Sequence, residues 1–194
     1  MIQPKLYRNE ACYKLITSYK KDQQRHDIEN FIRDNFFVAY KANLKRFADT
    51  IIACVNSDNQ YLATLGFNKL KKNKKSFVEY YLDEAIEIEI AKKIKQPILR
   101  EQIIELANLS ATRRGATRDL IQTSIPTLKS MGAKWVFCVA NKIVYNSFLK
   151  EGLKPILLGP AIQERIKDYD PKTDWGSYYQ SKPNVYFIKV PNKC

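Results

Sequence analysis

The chain has 194 residues, 45% of them hydrophobic and 27% charged, which is enough for one domain with a real core and too ordinary for whole-chain disorder, collagen or coiled coil. Thirty-three Lys and Arg against twenty Asp and Glu leave a formal charge of +13, a balance that favours anionic partners such as acidic lipid, nucleic acid or the phosphates of a nucleotide-bearing donor. A single histidine, His26, and four scattered cysteines without C-x-x-C spacing argue against a metal centre and a disulfide scaffold, so no metal is expected and the thiols read as mostly reduced.

In chain order, Ala11 to Tyr19 has the β-branched and aromatic content of a first strand. From Asp27, placed as an N-cap, Ile28, Phe31, Ile32, Phe36 and Phe37 recur at helical spacing to about Tyr40. Thr50 to Val55 and Tyr61 to Phe67 read as an antiparallel hairpin joined by NSDNQ. Lys69 to Lys75 holds five lysines in seven residues and reads as a solvated loop ahead of a dedicated polyanion or headgroup site. Leu82, Ala85, Ile86 and Ile90 predict a helix with an irregular start. Ile98 to Leu109 is the longest strand candidate, followed by a basic turn, Ser110 to Arg118. A helix marked by Leu120, Ile121, Ile125 and Leu128 succeeds the turn, with a kink or break expected at Pro126 and a stop at Gly132. Ala133 to Ala140 reads as a buried parallel strand containing Cys138, Tyr145 to Lys150 as a helix, and Val185 to Val190 as the last strand. This order is an α/β layout without repeat or linker, so residues 1–194 read as one domain.

The N-terminal MIQPKLYRNEACYKLI contains no apolar run of signal-peptide type, and no stretch approaches about eighteen uncharged apolar residues. These readings imply a cytoplasmic protein. Nucleic-acid motifs are absent and the basic residues are not interleaved with stacking aromatics, which argues against nucleic acid as the partner.

The unit that carries chemistry is the strand, the RRGATR turn and the next helix. A helix N-terminus offers unpaired N–H groups and partial positive charge to an anion. Arg113, Arg114 and Arg118 add full charges, and Gly115 and Ala116 are small enough for close backbone approach to a pyrophosphate. Downstream, Asn141, Val144, Phe148, Gly152 and Leu153 stand at the spacing of a second pattern. Together these resemble the GNAT acyltransferase fold, whose phosphate turn reads Arg/Gln-x-x-Gly-x-Gly/Ala and whose following strand leads into Asn-x-x-Ala-x-x-x-Tyr-x-x-x-Gly-Phe. Gly115 matches the turn, while Thr112 and Thr117 depart from it. Phe148 stands where such enzymes often carry a tyrosine as general acid, and a phenyl ring has no proton to donate.

The strings RHDIENFIRDNFFVAYKA, VEYYLDEAIE, IIELANLSATRRGATRDL, KWVFCVANKIVYNSFLKEGLKPILLGPA and DWGSYYQSKPNVYF, in that order, resemble the thermostable hemolysin family, itself similar in fold to GNAT enzymes and autoinducer synthases. The resemblance implies a mixed central sheet flanked by helices and transfer of an acyl group from acyl-CoA or acyl carrier protein to an amine acceptor. On that reading Glu105 is the first choice of general base or amine anchor, with Glu79 and Asp83 second. The strand Ala107, Leu109, Ser110 and Ala111 would hold the pantetheine arm, with Arg113, Arg114, Gly115, Ala116, Arg118 and Asn141 completing the donor site. Arg25, Asp83, Tyr178 and Tyr179 would line the acceptor pocket. The family name implies membrane action instead, for which an anionic membrane surface is the expected partner and the aromatic helix after Asp27 the candidate element.

Overall fold

The computed structural model describes residues 14–112 and 114–191. Among these, seven strands form one sheet: β1 (Lys14–Tyr19), β2 (Thr50–Val55), β3 (Tyr61–Lys69), β4 (Ile103–Ala111), β5 (Trp135–Ala140), β6 (Ile156–Pro160) and β7 (Asn184–Lys189), in the spatial order β1-β2-β3-β4-β5-β7-β6. Only β4 and β5 are parallel; every other neighbouring pair is antiparallel. The reading of β5 as a buried parallel strand is therefore half right, because β7 returns antiparallel along its other edge. The portion of the first predicted strand before Lys14 lies outside the described residues.

Four helices cover the sheet: α1 (Arg25–Tyr40), α2 (Ile86–Ile94), α3 (Arg114–Ser130) and α4 (Lys142–Lys150). α3 packs Leu120, Ile121, Ile125 and Leu128 against one face, in a cluster that includes Leu65, Leu106, Val136 and Phe148. On the opposite face, Ile28 and Ile32 of α1 meet Ile51 and Ala53, while Ile86 and Ile90 of α2 join Ile103, Phe137 and Phe187. Both faces are thus buried, and β2, β3 and β4 accordingly read as near-continuous apolar runs.

Three expectations shift. α1 begins two residues earlier than Asp27, with Gln24 at its N-cap and Asp27 in the first turn, where a carboxylate suits the positive end of the helix. α3 runs unbroken through Pro126, its apolar stripe held by the sheet on both sides of the proline. α4 starts at Lys142 because the Asn141 side chain accepts from the backbone N–H groups of Ile143 and Val144, both at 3.1 Å. The expectation of mostly reduced thiols is corrected at Cys54, which is disulfide-bonded. Cys138 is free and buried.

Candidate active site

The parallel pair β4–β5 is short. Ile103 pairs with Trp135, Ile104 with Val136 and Glu105 with Phe137, and no pair follows. Beyond Glu105 the two strands part, while β4 stays joined to β3 as far as Ala111. A bulge helps turn β4 away: Thr64 pairs with Ser110 and Gly66 with Ala107, so β4 carries an extra residue between them. Asn108 sits in that bulge at φ 51°, a left-handed backbone that asparagine tolerates better than most residues. Its Oδ1 accepts from the Ala48 N–H at 2.8 Å, tying the loop after α1 to the bulge. Gly66 lies opposite, where a Cβ would come within 2.5 Å of Ala48 Cβ and 3.1 Å of the Ala107 carbonyl.

The parted strands open into a cavity of about 670 Å³. The stretch from Ala107 to Thr112 forms one wall, Cys138, Val139 and Asn141 the other, with Phe148 and Ser147 of α4 at one side and Phe36 and Tyr40 of α1 at the other. The Ser110 hydroxyl is buried in this wall without a hydrogen-bond partner in the protein. Thr117 lines the cavity too.

Glu105 occupies the last rung before the strands part and is 1% exposed. Asn68, its partner on β3, donates its side-chain amide to Oε1 at 2.9 Å, and the Val78 N–H donates to Oε2 at 2.8 Å. Burial raises the carboxyl above the ordinary carboxylate range, assisted by the nearby Glu79 charge and opposed by hydrogen bonds from the Val78 N–H, the Ser76 side chain and Asn68. A carboxyl raised by burial and lining a cavity is suited to general base work.

Of the remaining sequence candidates, Ala107, Leu109, Ser110, Ala111, Asn141 and Tyr178 line the same cavity. Gly115 and Ala116 form the first turn of α3, with Ala116 fully buried. Arg113 and the side chain of Arg114 lie outside the described residues. Arg118 is exposed and ion-paired to Glu151.

The others stand apart from the cavity wall. Glu79 is buried in a bidentate pair with Arg100, with both contacts at 2.7 Å, and also accepts from the N–H groups of Ser76 at 2.6 Å and Ile86 at 3.0 Å. These donors outweigh desolvation and hold its carboxyl below the usual range. Arg25 is buried and donates to Glu29 and to the Ala48 carbonyl at 2.5 Å, a strut beneath α1. Asp83 is ion-paired with Arg165, and the Tyr179 hydroxyl bonds that of Tyr81. Burial pushes both Tyr178 and Tyr179 upward, so their hydroxyls stay protonated.

Sequence reasoning missed two contributors and read a third chiefly as a solvated loop. Asn68 holds Glu105, and nothing in its local sequence separates it from an ordinary strand-end asparagine. Tyr40 ends α1 and lines the cavity; the Asn141 amide donates to its hydroxyl at 2.9 Å. An amide N–H can only donate, so the Tyr40 oxygen is the acceptor in that bond and its own proton is left to give elsewhere. The third is the lysine loop, whose residues Lys69, Lys71, Lys74 and Lys75 line the cavity mouth.

This mixed seven-stranded sheet with its single parallel pair is the fold of the GNAT acyltransferases and the acyl-homoserine lactone synthases. The solved structures it resembles include BjaI, a CoA-dependent acyl-homoserine lactone synthase with SAM and isopentyl-CoA, at 10% identity, a TM-score of 0.58 and coverage of 92% of this chain and 83% of that one. FeeM, an N-acyl amino acid synthase from uncultured soil microbes, matches at 9% identity and a TM-score of 0.56, over 91% of this chain and 96% of that one. Tetrahymena GCN5 matches at 10% identity and 0.51, over 93% and 98%. Residues 18–194 match the model of the thermostable hemolysin family, and the chain belongs to that family. No curated protein matches in sequence.

Among the described residues, no helix is long and apolar enough to cross a membrane, and no cluster of three or more His, Cys, Asp or Glu residues could hold a metal ion.

Proposed function

We propose that the protein is an acyltransferase that moves an acyl group from acyl-CoA or an acyl carrier protein onto an amine. The observation that carries this reading is the parting of β4 and β5 immediately after the Glu105 rung, which sets a buried carboxyl at the base of a 670 Å³ cavity. Backbone groups along the parted edges have no strand to pair with, and a pantetheine arm lying between them would take their hydrogen bonds. The unpartnered Ser110 hydroxyl faces the same need. Gly115, Ala116 and the charges of Arg113 and Arg114 at the start of α3 would receive the donor's phosphates. Arg118, engaged by Glu151, would contribute field rather than contact.

Glu105 would accept the proton of the attacking amine, and β4 N–H groups would polarise the thioester carbonyl. As the C–N bond forms and the C–S bond breaks, the departing thiolate needs a proton that Phe148 cannot supply. Tyr40, whose proton is not used in its bond with Asn141, would supply it. The buried Cys138 thiol is pushed up to about 12, chiefly by burial, and serves as wall rather than nucleophile.

A second reading, membrane action on a scaffold without turnover, draws on Phe148 and the family name. Calorimetric titration with CoA, acetyl-CoA, octanoyl-CoA and palmitoyl-CoA separates the two when paired with a thiol-release assay. Saturable binding lost in Val139→Trp, which fills the cleft, is expected, together with turnover on an amine panel. Binding without turnover would favour the second reading, and no binding would remove the CoA donor.

A further inference from the structure

The lysine loop is not a free solvated connection. Arg100, while paired with Glu79, donates its Nε to the Lys71 carbonyl at 3.1 Å and its Nη2 to the Lys74 carbonyl at 2.8 Å. Glu79 in turn takes the Ser76 N–H. A buried ion pair therefore fixes the loop backbone at three points, and a buried ion pair is costly to assemble merely to shape a connection. The shape it imposes turns Lys69, Lys71, Lys74 and Lys75 onto the mouth of the cavity, where Lys20 and Arg46 join them.

Around that mouth the balance of charge is one-sided. Lys20 is paired with Asp49 at 2.5 Å. Arg46 spends its guanidinium on the Tyr169 carbonyl, hydroxyl and ring, all neutral. Among the described residues, Lys69, Lys71, Lys74 and Lys75 have no carboxylate partner. One further donor of a cavity-lining residue here, Trp175 Nε1, is buried without a partner, and Phe77 stacks on the Trp175 ring at 5.8 Å. Glu105 accepts from the Val78 N–H, two residues along the chain from Ser76. This part of the cavity thus joins one buried proton acceptor, suited to an amine, with a pinned group of cations and one orphan donor.

We infer that the acceptor carries its own anionic group, a carboxylate or a phosphate, and that Lys71, Lys74 and Lys75 bind it while Glu105 receives the amine. This rests on the acyltransferase reading and names its acceptor class. An anion there would add ion-pair attraction to its hydrogen bonds with the lysines, which a neutral acceptor cannot.

The test uses product analogues with a short chain, titrated calorimetrically into the full-length protein: N-octanoylglycine, N-octanoyl phosphoethanolamine and the neutral N-octanoylglycinamide. The expected result is binding of at least one anionic analogue about tenfold or more tighter than the amide, with the tighter anion naming the source. In the Lys71→Ala, Lys74→Ala, Lys75→Ala triple variant the preference should fall to within about twofold, while a Lys-to-Arg triple variant keeps it. The alanine side chains leave the pinned backbone carbonyls in place, so folding should survive, and unchanged CoA affinity checks this. Equal binding of amide and anions, a preference surviving in the alanine variant, or CoA binding with no binding of either anion would overturn the inference. Anion preference without CoA binding would support the anion subsite while removing the donor reading.

Discussion

Glu105 shows how one side chain can be read from its donors. It accepts from the Asn68 amide and the Val78 N–H, and Asn68 cannot turn its amide over freely, because its Oδ1 already accepts from the Asp49 N–H at 2.8 Å. A glutamine at 105 would point its own NH₂ at one of these donors. Glu105→Gln is therefore expected to cost about 1–3 kcal/mol of stability and, assayed well below its melting temperature, to lower turnover by about 10²–10⁴-fold with CoA affinity retained. For the unsubstituted protein the proposed reaction should speed up with pH along a limb above the ordinary carboxylate range, since the raised Glu105 must lose its proton to act as base. A pH–rate profile without that limb would remove Glu105 from the role. Lytic activity that persists in purified Glu105→Gln would separate lysis from catalysis.

At the scale of elements, the Arg100–Glu79 pair joins the lysine loop, the turn Val78–Tyr81 and the start of α2, since Glu79 also accepts from the Ile86 N–H. Arg100→Ala would leave a buried carboxylate without its cation and should cost about 3–5 kcal/mol in denaturant unfolding. The sign with pH follows from the direction of the shift. The folded carboxyl lies below its ordinary value of 4.5, so its stabilisation is complete above that value and is lost as pH falls through the lower, folded one. The variant should lose this part of the acid dependence. Asn141→Ala should cost about 0.5–2 kcal/mol through loss of the α4 cap and should also release Tyr40.

The elements were largely legible because their signals are local: the apolar stripe of α3, the NSDNQ turn between β2 and β3, the Gly132 stop. Glu105 was legible as well, as a carboxylate in an apolar strand. The separation of Glu79 from the cavity was not, since a buried carboxylate looks alike in sequence whether it faces a cavity or Arg100, twenty-one residues away. Asn68 and Tyr40 were hidden for the same reason: their roles come from partners 37 and 101 residues distant.

For the whole molecule, a charge of +13 is a self-repulsion that the fold carries at every pH near neutrality. Raising NaCl from about 20 mM to about 300 mM shortens the screening length severalfold, and the melting temperature should rise. The same salt should weaken any anion held at the lysine mouth, so fold stability and anion affinity should move in opposite directions. A melting temperature that falls with salt would mean that ion pairs such as Lys20–Asp49 outweigh the repulsion.

The three residue pairs joining β4 to β5 also make the sheet a pair of panels on a short hinge. On one side lie β1 to β4, and on the other β5, β7 and β6. A donor lying in the gap would act as the missing rungs of a ladder, bracing panels that otherwise meet along so little backbone. Hydrogen exchange should then slow on both sides of the gap at once when CoA is added, out to strands that never touch it.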